Sequence, residues 1–214
     1  ITFFNNPLII SFIFSLFITF VSFKFYSVSR AWTLASLFIG SLIISRYILV
    51  IYAYIFHRKF VNVYSVLAHL GLGLLIISIA LNNDFSSERA LNIQINETET
   101  YKNHEITFNN LQLIEGPNYE SVKADFIIEN KNGNKFSLNP EKRKYFVRGQ
   151  ITTETAIHAS LLKDIYLTIG DQLDDGSWIV NVQFNYFIRW IWFSAALMII
   201  SGLFLARSLN RVHS

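Results

Sequence analysis

The sequence predicts a membrane protein with four transmembrane α-helices and a small antiparallel β-rich domain, a barrel or a sandwich, between the third and fourth helices. Four apolar runs predict the helices, because each approaches the roughly 20 residues that a helix needs to cross about 30 Å of hydrocarbon. All 15 acidic residues lie between Asp84 and Asp175, outside these runs. In that acidic segment, short stretches alternate between apolar and polar residues, which is the pattern of half-buried strands.

The first two predicted helices cover residues 7–26 and 32–56. Pro7 suits a first helical turn, and the run that follows it is apolar on all sides. The second helix contains Arg46, roughly ten residues or about 15 Å from its end. A cation at that depth either pairs with a buried anion or extends its side chain to the headgroups from a tilted helix. The residues alone favour the second explanation.

The third predicted helix, residues 61–82, contains His69. A histidine among apolar residues is costly without a partner, so we expect His69 to face protein or a cofactor. Ser65 and Gly73 share its helical face and leave room for a flat ring or a close helix, whereas Gly71 lies on another face. Because neutral imidazole commonly binds haem iron, His69 is a candidate axial ligand of a b-type haem. The alternatives are a hydrogen bond to a neighbouring helix and a position near the headgroups.

The fourth predicted helix runs from about Tyr186 to Ala206, so the chain divides into residues 1–83, 84–185 and 186–214. The basic residues near the helix ends are Arg58, Lys59, Arg207 and Arg211 on the side of the tail, and Lys24 and Arg30 on the other side. The positive-inside rule places the tail in the cytoplasm or mitochondrial matrix and the β-rich domain on the outer side. The net charge of +3 follows from these basic flanks of acid-free helices, and we expect no nucleic-acid partner.

Within the β-rich segment, Leu91, Ile93 and Ile95 alternate strictly, and Asn132-Gly133 is a strong hairpin signal. Further strands are predicted at residues 111–113, 122–129, 134–138, 145–147, 151–157, 165–169 and 178–184. The charge run at residues 141–144 is expected to be a solvated loop. His104 and His158 have no ligand-type neighbours in sequence, so we expect surface or strand histidines. The absence of cysteine excludes disulfides and thiolate metal sites in this chain.

Several motifs follow one another in a defined order. They are Ala68-His69-Leu70-Gly71 in the third helix, then PEKRKY at 140–145, TETAI at 153–157 and DIYLTIGD at 164–171, and finally Arg189-Trp190-Ile191-Trp192 in the last helix. This set, which covers about residues 60–206, resembles the C-terminal part of the CcmF family, the haem lyase subunit of the cytochrome c maturation system.

The resemblance implies a role in haem attachment to apocytochrome c, together with a haem chaperone, and a b-haem held within the membrane. The family's transmembrane histidine in an Ala-His-Leu-Gly setting corresponds to His69, the implied axial ligand of haem b. Arg46 and Arg189 then become candidates for contacts with the haem propionates. The family's tryptophan-rich outward loop lies N-terminal to this region, and the four tryptophans here, at 32, 178, 190 and 192, do not cluster. We therefore expect at most one part of a haem lyase, completed by a second polypeptide of a split protein.

Frequent Phe, Ile, Asn and Lys, with few Gly and Pro, are typical of an AT-rich organellar genome. We therefore expect the mitochondrial inner membrane, with the β-rich domain in the intermembrane space and the C-terminus in the matrix. A bacterial inner membrane is the alternative. Expected partners are the second polypeptide, the haem chaperone, apocytochrome c and the lipid bilayer. A different class of function also remains open, that of a structural subunit of a respiratory complex such as cytochrome c oxidase, with the family fold and no haem-lyase chemistry.

Overall fold

The computed structural model describes residues 6–26, 28, 30–58, 60–147 and 149–212, which form two compact units. The helical unit contains α1 (Pro7–Phe25), α2 (Ala31–His57), α3 (Val63–Phe85) and α4 (Ile188–Val212). The β-unit covers Ser86–Asn185. All four helices are long and apolar enough to span a membrane, so the prediction of four membrane helices with an antiparallel β-domain between the third and fourth is confirmed. Lys59 and the side chain of Arg211, both counted for orientation, lie outside the described residues.

The ends of the first two helices follow from local chemistry. Asn6 caps α1, because its side-chain oxygen accepts a hydrogen bond from the Leu8 backbone N–H at 3.0 Å, and Pro7 occupies the first turn. Helix α2 ends at His57, and the next residue, Arg58, caps it with a left-handed φ of 50°. Between such ends, each helix satisfies its own backbone hydrogen bonds, as the interior of a bilayer requires.

Small residues let the helices approach closely. A Cβ atom on Gly40 of α2 would lie 2.8 Å from the Gly73 carbonyl oxygen, and one on Gly73 of α3 would lie 2.9 Å from the Gly40 carbonyl oxygen. Gly71 faces a different helix, since its Cβ would lie 3.0 Å from the Ser194 carbonyl oxygen on α4. Helix α3 therefore packs against α2 and α4 through two glycines on different faces.

The β-unit consists of two antiparallel sheets. Its strands are β1 (Ser87–Ile93), β2 (Thr98–Tyr101), β3 (His104–Glu115), β4 (Tyr119–Asn130), β5 (Lys135–Leu138), β6 (Glu141–Tyr145), β7 (Ile151–Glu154), β8 (Ala156–His158), β9 (Lys163–Gln172) and β10 (Trp178–Tyr186). One sheet has the order β1-β10-β9-β8, and the other has β2-β3-β4-β6-β7 with β5 also paired to β4.

The core of the β-unit lies between its two sheets. Phe108 and Phe126 of one sheet stack with ring centroids 4.5 Å apart. Leu167, Val180 and Val182 of the other sheet are also fully buried. Two apolar inner faces that bury each other in this way make a sandwich.

The prediction of a solvated loop at residues 141–144 was wrong, because this charge run is strand β6, between β4 and β7. Its charges form ion pairs, although the Lys144 side chain remains exposed. Lys142 forms an ion pair with Asp171 of β9, and Arg143 bonds to Glu141 at 2.9 Å. The predicted strand at 151–157 is divided between β7 and β8, which belong to different sheets. Of residues 145–147, only Tyr145 lies in a strand.

Candidate functional site

The imidazole of His69 is fixed by its own helix. Its Nδ1 atom lies 2.7 Å from the backbone carbonyl oxygen of Ser65, one turn earlier in α3. A carbonyl oxygen only accepts, so Nδ1 carries the hydrogen and donates it. In the neutral ring, Nε2 then keeps a lone pair. Metal-binding histidines usually hold their second ring nitrogen in this way, so the donor set fits an axial ligand of a haem iron.

Tyr47 of α2 holds the same imidazole from one face. The two rings stack with centroids 4.3 Å apart and an interplanar angle of 18°. Both side chains are half-buried. The lone pair on Nε2 lies in the plane of the ring, so a stacked neighbour leaves the direction of ligation open. The backbone hydrogen bond and the stack together fix both the tautomer and the ring plane of His69.

The space next to His69 along α3 is occupied by a neighbouring helix. Gly73 shares the face of His69, and a Cβ on Gly73 would lie 2.8 Å from Cγ1 of Ile44 on α2. The sequence allowed either a flat ring or a close helix at this position, and the described contacts at Gly73 are those of a close helix. Any group bound at Nε2 must therefore lie away from Gly73.

The two candidate arginines lie at different levels of the helical unit. Arg46 is half-buried and directly precedes Tyr47, so it shares the level of His69 on α2. Arg189 is exposed in the first turn of α4. The α4 residues that face Gly71 begin at Ser194, so Arg189 lies about 8 Å further along the helix axis, away from His69. The structure thus brings Arg46, and not Arg189, to the level of His69.

His69 lies six residues after the start of α3, or about 9 Å along the axis, and not at the middle of the helix. Nearer the start of α3, the hydroxyl of Ser201 in the middle of α4 donates to the Tyr64 carbonyl oxygen at 2.6 Å. The contact of Tyr47 with His69 was not predicted from the sequence. The length of the turn between α2 and α3 could have indicated it. When a short turn joins two antiparallel helices, residues at similar sequence distances from that turn lie at a similar level.

A second polar contact lies in the β-unit, at His104. His104 was expected to be a surface or a strand histidine. It lies in strand β3 and is buried, with 7% of its surface exposed. Lys163 donates a hydrogen bond to its Nε2 at 3.0 Å. Burial, together with the charge of Lys163, lowers the pKa of His104 from 6.5 to about 4. The pKa of Lys163 is itself lowered, by burial and by nearby Lys102. Among the described residues, no three His, Asp or Glu side chains come together as a metal-binding group.

Comparison with known proteins gives concordant matches. A family model described as the CcmF C-terminal beta-sandwich matches residues 84–185. The cytochrome c-type biogenesis protein CcmF of Pseudomonas aeruginosa is 35% identical over 136 residues, which is 64% of this chain and 21% of the relative. CcmF of Escherichia coli is 31% identical over 138 residues, with the same shares. The chain thus spans about a fifth of the length of the curated relatives it matches.

A solved structure of the cytochrome c heme lyase CcmF has a similar fold. The likeness covers 89% of this chain and 33% of that chain with a TM-score of 0.71, and at 10% identity it concerns the fold alone. It includes the membrane helices as well as the sandwich, because the sandwich by itself would cover less than half of the chain. In the sequence of its sandwich and in its fold, the chain is therefore similar to the C-terminal part of CcmF proteins.

Proposed function

We propose that the chain acts in cytochrome c maturation, as the part of a haem lyase that holds a b-type haem in the membrane through His69. The observation that carries this proposal is the hydrogen bond from Nδ1 of His69 to the Ser65 carbonyl oxygen, which leaves Nε2 as a ligand nitrogen. Its second support is the family, since relatives named as cytochrome c biogenesis proteins and a structure named a heme lyase match this chain.

The residues at this site would act by holding and orienting the haem. His69 would supply a ligand nitrogen to the iron, with the Ser65 carbonyl oxygen fixing its tautomer and Tyr47 its ring plane. Arg46 is the better candidate to meet a propionate, because it lies beside Tyr47, whereas Arg189 lies a turn and a half or more away along α4. A haem bound here would supply one-electron chemistry.

The proposed role requires groups outside this sequence. The second axial ligand and the tryptophan-rich loop of the family belong to a second polypeptide of a split protein, which works with a haem chaperone and apocytochrome c. Support comes from the tryptophans of this chain, which are dispersed over α2, β10 and α4. We place the assembly in the mitochondrial inner membrane, with the sandwich in the intermembrane space and the tail in the matrix. The organellar composition and the excess of basic residues near the tail support this placement.

The proposal is tested by haem content. The chain, purified with the polypeptides that accompany it, is expected to show a b-type Soret band that is lost in His69→Ala. His57→Ala is the matched control, because His57 ends α2 in the same helical unit and is exposed. Both variants are first checked for an unchanged elution profile and unchanged accompanying polypeptides. A His69→Ala protein that keeps the wild-type haem content would rule out His69 as the ligand.

A structural role in a respiratory complex is the second candidate. The observation that favours it is that the four tryptophans do not form the family's tryptophan-rich loop, which a subunit without haem-lyase chemistry would not need. In that case the chain co-purifies with subunits of a respiratory complex such as cytochrome c oxidase, and no Soret band depends on His69. The same preparation therefore decides between the two functions.

A further inference from the structure

One end of the sheet β1-β10-β9-β8 carries a group of basic and apolar side chains that the haem-lyase proposal does not use. In the register, Ser87 at the start of β1 pairs with Phe184 near the end of β10, and His158 at the end of β8 pairs with Ile165 near the start of β9. The turn at 173–177 joins β9 to β10 as a hairpin, with the Leu173 N–H donating to the Ser177 carbonyl oxygen at 2.8 Å. The starts of β1 and β9 and the ends of β8 and β10 therefore share one end of the sheet.

Three cations surround two aromatic rings at this end. The Nζ atoms of Lys102 and Lys163 lie 5.7 and 5.2 Å from the ring centroid of Phe184. The Tyr101 ring lies 5.4 Å from the Phe184 ring, and the guanidinium of Arg89 lies 5.8 Å from the Tyr101 ring. Among the described residues, neither Arg89 nor Lys163 forms an ion pair with a carboxylate. The three side chains are basic, and the charge of Lys102 is close enough to Lys163 to contribute to its lowered pKa.

Two leucines are exposed directly beside these cations. Leu161 and Leu162, in the loop between β8 and β9, expose 68% and 54% of their surface, and Lys163 follows at once. Adjacent exposed leucines next to lysine and arginine suit the boundary between lipid headgroups and acyl chains, where the apolar tip is buried and the cations meet phosphates.

Only short segments of chain connect this end of the sheet to α3 and α4. Ser87 is two residues from Phe85, the last residue of α3, and Phe184 is four residues from Ile188, the first residue of α4. Four extended residues span at most about 14 Å. A membrane surface is therefore within reach of this end by chain length alone.

We propose that Arg89, Lys102, Leu161, Leu162 and Lys163, named here the Lys163 patch, bind the headgroup layer of anionic phospholipids. Arg89 and Lys102 hold lipid phosphates while Lys163 keeps its hydrogen bond to His104, and the two leucines enter the interface beside them. Each cation near an anionic surface contributes about a fivefold preference for anionic over zwitterionic lipid. This binding is independent of haem, so it does not depend on the function proposed for His69.

The experiment uses the full chain in nanodiscs, and the absence of cysteine makes single-thiol labelling simple. Leu162→Cys carries a bimane probe at the patch, and Asp174→Cys carries the same probe in the exposed β9–β10 turn at the opposite end of the sheet. Brominated phosphatidylglycerol or brominated phosphatidylcholine serves as the quencher. We expect quenching at position 162 and not at 174, with brominated phosphatidylglycerol the stronger quencher.

Charge removal tests the lipid preference. Arg89→Gln with Lys102→Gln, in the Leu162→Cys background, is expected to lower the preference for phosphatidylglycerol by about fivefold for each charge. Lys123→Gln with Lys144→Gln, on β4 and β6 away from the end of β4 that lies beside Asn103, is the matched control and should leave it unchanged. Quenching at 162 no greater than at 174 would overturn membrane contact. Equal quenching by the two brominated lipids would overturn headgroup recognition. Loss of quenching because an acidic protein remains bound at the patch would assign the surface to that protein and refute the proposal.

Discussion

The carbonyl oxygen of Ser65 accepts the Nδ1 hydrogen of His69 one helical turn away, at 2.7 Å, and thereby decides which ring nitrogen is available for a ligand. The acceptor is a backbone atom, so the interaction does not depend on the Ser65 side chain. Substitution of Ser65 by alanine should therefore leave the tautomer unchanged. The ring plane depends on Tyr47 instead, which makes Tyr47 the residue to vary.

Tyr47→Ala should weaken haem retention if His69 binds haem. Loss of an aromatic stack costs about 1 kcal/mol, so the haem should dissociate about fivefold more readily to a competing apoprotein. Tyr47→Phe keeps the stack and should behave as wild type. Tyr54→Ala, an exposed tyrosine of the same helix, is the control. Equal loss in Tyr47→Phe and Tyr47→Ala would show that the hydroxyl, and not the stack, matters.

Gly40→Ala should destabilise the helical unit. Its new methyl group would lie 2.8 Å from the Gly73 carbonyl oxygen, a backbone atom that cannot move aside cheaply. Overpacking of this kind costs about 1–3 kcal/mol. Thermal unfolding in detergent, followed by circular dichroism, measures the effect. Gly202→Ala on α4 is the control, since its methyl group would meet nothing within 4 Å. Equal unfolding temperatures in the two variants would contradict close packing of α2 on α3.

The β-unit should lose stability as the pH falls from 6.5 towards 4. The pKa of His104 is lowered from 6.5 to about 4 in the folded state, so the unfolded chain binds the proton first within that window. The stabilisation is therefore complete above pH 6.5 and declines as the pH falls towards the folded value. Denaturant unfolding of the full chain at several pH values measures the slope. His104→Gln does not titrate and should have a shallower slope, and identical slopes would refute the assignment.

The proposed orientation predicts which thiols react from outside. Asp174→Cys in the β9–β10 turn should react with a membrane-impermeant maleimide in intact mitoplasts. Ser208→Cys, near the end of α4, should react only after the membrane is permeabilised. Neither label competes with a native thiol, because the sequence has no cysteine. The reverse pattern would place the sandwich in the matrix.

The membrane helices could be predicted because length and apolar composition determine them directly. The β-domain could be predicted because apolar and polar residues alternate along its strands. The contact of Tyr47 with His69 was missed, because a short turn between antiparallel helices indicates which residues lie at a similar level but not which faces of α2 and α3 meet. Strand β6 was missed since its charges are neutralised by partners on other strands, such as Asp171 for Lys142. His104 looked isolated because its partner Lys163 lies 59 residues further along the chain.

The pairing of β1 with β10 determines how far apart the two chain ends of the β-unit lie. The first and last strands of the β-unit are neighbours, with Ser87 opposite Phe184, so the two chain ends of the unit are about one strand spacing, or 5 Å, apart. A domain whose ends meet in this way can be exchanged or removed with a short linker in its place, while α3 and α4 keep their contact through Gly71. The sandwich is thus a domain inserted in the chain between α3 and α4. A chain without it should still form the helical unit.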